Sequence, residues 1–335
     1  MSRVLVTGAG GFLGRRLVRA LVAAGALTHR DGRAPITHLT LADRTPVTAR
    51  DTGGNTGGIA VESVACDLAD AEQVAALAAR PFDSLFHLAA GLTLDVERDP
   101  ARGYLTNVEA LRQLIDRAAN RPRVVFTSSL AVYGGDLPPQ VDESVAHAPT
   151  TTYGTHKAIA ELLVADYSRH GRIDGRSLRL PIVLVRPGRS AGTPTVSDMV
   201  AAILREPLAG RDVTVPLAPD TPVPIASAGA VAAALIRLHD APEAEIPARR
   251  AVNLPSLTVS AAAMADAVQA LPGTGRVAYR PDPRVQAIVG GWPRHLVSGV
   301  AGRLGIAPDP DVAAVIADYL TSAPEQPRLT RRKGE

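Results

Sequence analysis

A tight cluster of glycines near the start of the chain, Gly8-Ala9-Gly10-Gly11-Phe12-Leu13-Gly14, separates two segments of different hydrophobic rhythm. Before it, residues 3–7 (RVLVT) read as a short buried strand. After it, Phe12, Leu13, Leu17, Val18 and Leu21 recur at helical spacing over residues 11–24. Strand, glycine turn, helix is the context in which a G-x-x-G-x-x-G spacing carries meaning. Glycine at positions 8, 11 and 14 lets the backbone bend tightly, approach a pyrophosphate with no side chain in the way, and seat the helix against the strand. The amides of the helix N-terminus, around Phe12 and Leu13, then face the phosphates. Glycine turns also occur for structural reasons alone, so the motif needs support from the rest of the chain.

That support begins with the alternation that follows. Strands are predicted at residues 38–42, 61–65, 84–88 and 124–127, with helices at 71–79, 102–119 and 153–170, and residues 177–185 (SLRLPIVLV) are expected to close the core sheet. This is the rhythm of a parallel sheet, and it predicts an α/β, Rossmann-type doubly wound fold. After residue 188 the texture changes to shorter, proline-rich elements. Helices are predicted at about 196–205, near 228–239, after a capping Ser260, and near 311–319, with extended segments at 213–215 and 251–253. The expected organisation is a dinucleotide-binding domain over 1–188, a small substrate lobe over 189–325 interleaved with late core elements, and a flexible tail over 326–335. The glycine-rich stretch 51–58 (DTGGNTGG) is expected to be a surface loop.

Asp43 ends the second predicted strand, where a carboxylate can accept hydrogen bonds from both hydroxyls of an adenosine ribose and repel a 2′-phosphate. The expected cofactor is therefore NAD rather than NADP, with Arg44 beside it working against that preference. Asp67 and Leu68 end the third strand and Leu88, Ala89 and Ala90 the fourth. Small residues there would let a dinucleotide lie across the sheet, and Asp67 would meet the adenine amine.

Tyr153 and Lys157 stand four apart on a predicted helix, so both project from one face. A tyrosine with a pKa of about 10 needs about three units of depression, roughly 4 kcal/mol, to act as a base at neutral pH. An ammonium about 4 Å away at an effective dielectric of about 20 supplies that much. A bare pair of this kind is commonly a surface contact. Here it follows a glycine turn and a hydroxyl-rich Thr127-Ser128-Ser129 strand end, and Lys157 is one of only two lysines in a chain with 36 Lys plus Arg; the other is Lys333.

The run Ser128-Ser129-Leu130-Ala131-Val132-Tyr133-Gly134, followed by Tyr153-Gly154-Thr155-His156-Lys157, resembles the extended short-chain dehydrogenases and sugar epimerases/dehydratases. The resemblance implies that Ser129 hydrogen-bonds the substrate oxygen and that Asn107 supports the lysine and its proton relay. Tyr153 would then take the hydroxyl proton as hydride leaves the same carbon for the nicotinamide, with the Val183 backbone holding the carboxamide. Segments 126–135 (FTSSLAVYGG), 177–188 (SLRLPIVLVRPG), 205–210 (REPLAG), 252–255 (VNLP) and 287–293 (AIVGGWP) are similar to one branch, the D-erythronate dehydrogenases. This implies oxidation of a small sugar acid at C2 to the 2-oxo acid. Arg186 and Arg189 are the candidates for its carboxylate. Residues 193–200 (TPTVSDMV) and 222–231 (PVPIASAGAV) are smaller and more apolar than in that branch. The family also implies a homodimer, packing Leu111, Leu114, Leu162 and Leu163 between copies.

Other classes find little in the sequence. A net charge of +3 with no dense basic block before residues 331–333 argues against nucleic acid. No apolar run is long enough for a membrane span. One cysteine, Cys66, and a strand pattern at the N-terminus favour a cytoplasmic protein. His87 and His156 lack carboxylate or cysteine partners at metal-ligand spacing, and no metal is expected. Two alternatives stay open: a nucleotide-sugar epimerase/dehydratase or secondary-metabolite alcohol dehydrogenase on the same fold, and a non-catalytic NAD-binding regulator.

Overall fold

The computed structural model describes residues 1–48, 53–184 and 194–322. The first strand, β1 (Ser2–Thr7), alternates its side chains between two cores: Val4 and Val6 point to one face and Leu5 to the other, all of them buried. That two-sided burial marks β1 as a central strand. It is followed by α1 (Phe12–Ala24), β2 (Ala26–His29), β3 (Gly32–Asp43), β4 (Ala60–Ala65), α2 (Ala71–Ala78) and β5 (Ser84–His87). Then come α3 (Thr93–Arg98), α4 (Pro100–Tyr104), a π turn (Leu105–Glu109), α5 (Ala110–Asp116), β6 (Arg123–Ser129), β7 (Gln140–Val141), α6 (Thr152–Arg169) and β8 (Asp174–Leu180).

The later part of the chain adds β9 (Ile182–Leu184), α7 (Val196–Leu208), β10 (Val213–Val215), β11 (Pro222–Ser227), α8 (Ala228–Asp240), β12 (Ala251–Asn253) and β13 (Leu257–Ser260). It ends with α9 (Ala261–Gln269), β14 (Val277–Tyr279), α10 (Pro283–Gly290), β15 (His295–Leu296), α11 (Gly299–Arg303) and α12 (Val312–Ser322).

Eight strands form the main sheet in the order β12-β8-β6-β5-β1-β3, with β4 and β2 each also paired to β3. Every pairing is parallel except the β2–β3 hairpin. The winding reverses at β1, which lies between β3 and β5, and a crevice opens at such a switch point beyond the carboxyl ends of the strands. Leu17, Val18 and Leu21 of α1 with Leu235 and Leu238 of α8 cover one face, while Leu77 of α2, Leu114 of α5 and Val164 of α6 cover the other. This is the expected doubly wound α/β architecture. The smaller lobe is built on β9-β11-β13 packed by α7, α9 and α12, with Ile203, Leu204, Ile225 and Met264 at its core. α8 packs on the core of the main sheet and β12 pairs with β8 at its edge.

Four expectations need correction. The segment 177–185 is not one closing strand: it breaks at Pro181, which has no amide to give to a ladder, so β8 stays in the main sheet, β9 joins β11 in the lobe, and β12 becomes the sheet edge. The hairpin of β2 with β3 extends the second strand well before residue 38. The helix over 102–119 carries a π turn in its middle. Leu111 and Leu114, assigned to a dimer contact, are fully buried in their own subunit's core, whereas Leu162 is 62% exposed. No helix among the described residues is long and apolar enough to cross a membrane.

Candidate active site

The crevice at the switch point is a cleft of about 1520 Å³ running from Asp43 and Asp67 past the glycine turn to Ser129, Tyr153 and Lys157. At the turn, Gly8 has φ +72°, and a Cβ there would sit 2.7 Å from the Ala89 amide nitrogen. A Cβ on Gly14 would fall 2.0 Å from the Gly8 carbonyl oxygen. No side chain caps α1 and no acidic residue occupies its first turn, so the positive end of the helix is left open toward the cleft. Asp43 Oδ2 accepts a hydrogen bond from Gly10 N at 3.0 Å, and a Cβ on Gly10 would press against that carboxylate at 3.1 Å. Gly10 is thus tied to Asp43 through its amide, a contact that the G-x-x-G-x-x-G spacing does not single out.

These residues fit a dinucleotide. The cradle admits no side chain, the helix end favours phosphate, and a carboxylate stands at the ribose position. Leu68, Leu88, Ala89 and Ala90 line the same cleft, as does Val183 on β9, an edge strand of its sheet. Asp67 is more committed than the sequence implies: Oδ1 accepts from Ala69 N at 3.0 Å and Oδ2 is bound by Arg102. Arg186 and Arg189 lie outside the described residues. Phe12 and Leu13 open α1 at the cleft wall.

At the other end, Thr151 Oγ1 caps α6 through Gly154 N at 3.0 Å, and Glu97 receives Thr152 N at 2.7 Å, fixing the first turn that carries Tyr153. Ser129, leaving β6, has its Oγ bonded by Ala131 N at 3.2 Å and lines the cleft together with Tyr153. Lys157 Nζ donates to Thr127 O at 2.7 Å, lies 4.6 Å from the Phe126 ring centre and 5.6 Å from that of Tyr153. Asn107, buried on the π turn, clamps Gly91: its Oδ1 accepts Gly91 N at 2.7 Å and its Nδ2 donates to Gly91 O at 3.1 Å. It meets the cleft wall rather than Lys157. Single-turn π insertions commonly mark functional positions.

The electrostatics run opposite to the expectation from charge alone. Burial pushes the Tyr153 phenol up to about 12, with only the neighbouring Ser129 side chain opposing it. Burial also pulls Lys157 down to about 7, against the opposing pull of Glu161. Desolvation of an anion outweighs one neighbouring ammonium that is itself desolvated. Such a phenol gives up its proton readily only when further positive charge arrives beside it. His87 is fully buried and held neutral at about 3 by burial and by Lys157, with Nδ1 on Thr7 Oγ1 at 2.9 Å, so it serves the structure. His156 packs edge-on against Tyr104 at 5.7 Å.

The family model described as "NAD dependent epimerase/dehydratase family" matches residues 4–254. A D-erythronate dehydrogenase from Cupriavidus necator is 38% identical over 326 residues, covering 96% of this chain and 98% of the relative. One from Haemophilus influenzae is 32% identical over 324 residues, covering 95% and 98%. Among solved structures, a nucleoside-diphosphate-sugar epimerase from Agrobacterium tumefaciens superposes with TM-score 0.85 at 31% identity, covering 96% of this chain and 95% of that one. A GalE-like L-threonine dehydrogenase from Cupriavidus necator gives 0.78 at 23% identity over 95% and 99%, a likeness of fold.

Proposed function

The chain belongs to the NAD dependent epimerase/dehydratase family and is a nicotinamide-dependent dehydrogenase; from that premise we propose that it uses NAD to oxidise the C2 hydroxyl of a small, D-erythronate-like sugar acid to the 2-oxo acid. The observation that carries this reading is the gathering of Ser129, Tyr153 and Lys157, the lysine Nζ 5.6 Å from the tyrosine ring centre, in the same cleft as the glycine turn and Asp43. Two near-full-length relatives named D-erythronate dehydrogenase support the substrate class.

In this reading Ser129 Oγ and Tyr153 Oη receive one hydroxyl oxygen between them. Tyr153 takes its proton as the C–O bond becomes a carbonyl, and the Lys157 ammonium stabilises the phenolate that must precede the transfer. NAD, when bound, supplies the acceptor for the hydride and a positive charge. The glycine turn, the open end of α1 and Asp43 would hold it, and Asp43 disfavours a 2′-phosphate. Asn107 sets the Gly91 wall. A homodimer through α5 and α6 belongs to the same proposal, with the exposed Tyr104, Leu105 and Leu162 as its apolar contact; sedimentation of a Leu162→Glu variant as monomer, against a dimeric parent, tests it.

A second reading is favoured by the 31% identical epimerase structure: hydride could be returned to a nucleotide sugar within one turnover. A panel of small hydroxy acids and nucleotide sugars, assayed with NAD and NADP at the nicotinamide absorbance, separates the two. Accumulating NADH with D-erythronate supports the dehydrogenase. Interconversion of a nucleotide sugar with no net NADH replaces it with the epimerase.

A further inference from the structure

The end of the cleft that holds Asp43 also holds an ion pair between two segments far apart in the chain. Asp67 follows β4, whose last residue, Ala65, lies beside Asp43 of β3, and Cys66 N donates to the Asp43 carbonyl at 2.9 Å. A base attached to a ribose held by Asp43 would therefore lie beside Asp67. Arg102 reaches the same carboxylate from α4, with Nη2 2.5 Å from Asp67 Oδ2. Both residues line the cleft, as does Leu68, the next residue along the chain. Each partner is also seated by its own segment: Ala69 N donates to Asp67 Oδ1 at 3.0 Å, and Arg102 N donates to Asp99 Oδ1 at 3.0 Å in the first turn of α4.

An exposed ion pair contributes little to stability, and the Arg102 side chain is 56% exposed. Its place in the cleft gives it a further use. A guanidinium is flat, and when a carboxylate holds one edge its faces stay available for a second contact. A purine ring matches such a face in shape, and its π cloud attracts the cation. Asp67 meanwhile has both oxygens engaged, one by an amide and one by the arginine. Taking up the adenine amine would set that amine in competition with these partners, whereas holding the arginine over the base needs no rearrangement.

We propose that Arg102 is a cofactor-binding residue that stacks its guanidinium on the adenine ring, and that Asp67 is the positioning residue that holds it there rather than a reader of the adenine amine. The inference deepens the proposed function and rests on it only for the dinucleotide in the cleft. It is independent of which hydroxy acid or sugar is the substrate.

Calorimetric titration of the whole chain with NAD, AMP and nicotinamide mononucleotide tests the proposal without turnover. Arg102→Ala is expected to weaken NAD and AMP by roughly fivefold to tenfold and to leave nicotinamide mononucleotide, the control for an intact fold, within about twofold. Arg102→Lys keeps the charge and loses the flat face, so its NAD affinity should stay within about twofold of that of Arg102→Ala. Asp67→Asn should weaken NAD by about threefold when Arg102 is present and by less than about 1.5-fold when it is already alanine, because its effect passes through the arginine. Nicotinamide hypoxanthine dinucleotide, in which a carbonyl replaces the adenine amine, should bind the wild type within about threefold of NAD, since stacking tolerates the exchange. An NAD affinity unchanged in Arg102→Ala, full recovery in Arg102→Lys, an Asp67→Asn effect undiminished by Arg102→Ala, or rejection of the hypoxanthine analogue by about tenfold or more overturns the proposal. The wild-type affinity for NAD tests the cofactor reading by itself, so a wild type that binds NAD beside an unaffected Arg102→Ala variant refutes this inference alone.

Discussion

In the proposed reading Asp43 carries the cofactor preference at a single position, because its carboxylate is both bonded by Gly10 N and open to the cleft. Asp43→Asn keeps the shape and removes the charge. It is expected to weaken NAD binding by about tenfold, the loss of one hydrogen bond to a charged acceptor, and to narrow the NAD over NADP preference. Calorimetric titration with both dinucleotides checks it, and an unchanged ratio counts against the assignment. At this scale the sequence was informative wherever chemistry follows from spacing. Gly8, Gly11 and Gly14, Asp43, and the Tyr153–Lys157 pair all meet in one cleft. Three features were not legible. The Gly10 amide is bonded by a carboxylate at a strand end 33 residues away. Asp67 is shared with Arg102 from a helix that the sequence pattern did not bring near it. The ionisation of Tyr153 depends on burial, which is a property of the packed site.

At the scale of elements, the π turn is what turns Asn107 toward Gly91. Asn107→Ala leaves the Gly91 N–H and C=O without their partners. The expected cost is about 1–3 kcal/mol of stability, read as a lower denaturant midpoint at constant slope, together with a fall in kcat as the cleft wall loosens. A midpoint unchanged from wild type would contradict it. The sequence could not reveal this insertion, because Leu111 and Leu114 keep helical spacing beyond it. The same blindness misassigned those two leucines: an amphipathic pattern shows that a face is buried, without showing whether the subunit's own core or a second subunit covers it. The break of 177–185 at Pro181 is a different case, since the signal was present in the sequence and the continuous apolar run overrode it. Capped helices such as α9, where Ser260 Oγ accepts from Ala263 N at 3.0 Å, were legible because capping is local.

For the whole molecule, two fully buried histidines tie stability to pH. Burial holds His239 at about 4, against the opposing pull of Asp240, and His87 at about 3, both below the ordinary histidine value. Between about pH 6.5 and about pH 4 the unfolded chain binds protons that the folded one does not, so each ring costs about 1.4 kcal/mol per pH unit as pH falls through that window. The unfolding free energy from urea titration should therefore drop by a few kcal/mol between about pH 6.5 and about pH 5, before most carboxylates titrate; a flat profile would refute this. The fold class was legible because strand, turn and helix alternate along the chain, and the lobe's short strands β11, β13 and β14 were not, because nonlocal pairing defines them. The whole fold serves to bring Ser129, Tyr153 and Lys157 to the cleft that begins at Gly8. The most direct test is NADH production from D-erythronate and NAD by wild type and Tyr153→Phe, with NAD affinity measured alongside. The account predicts steady accumulation by the wild type, a loss of at least about a thousandfold in kcat for the variant, and equal NAD binding. A Tyr153→Phe protein that still turns over at the wild-type rate would contradict it.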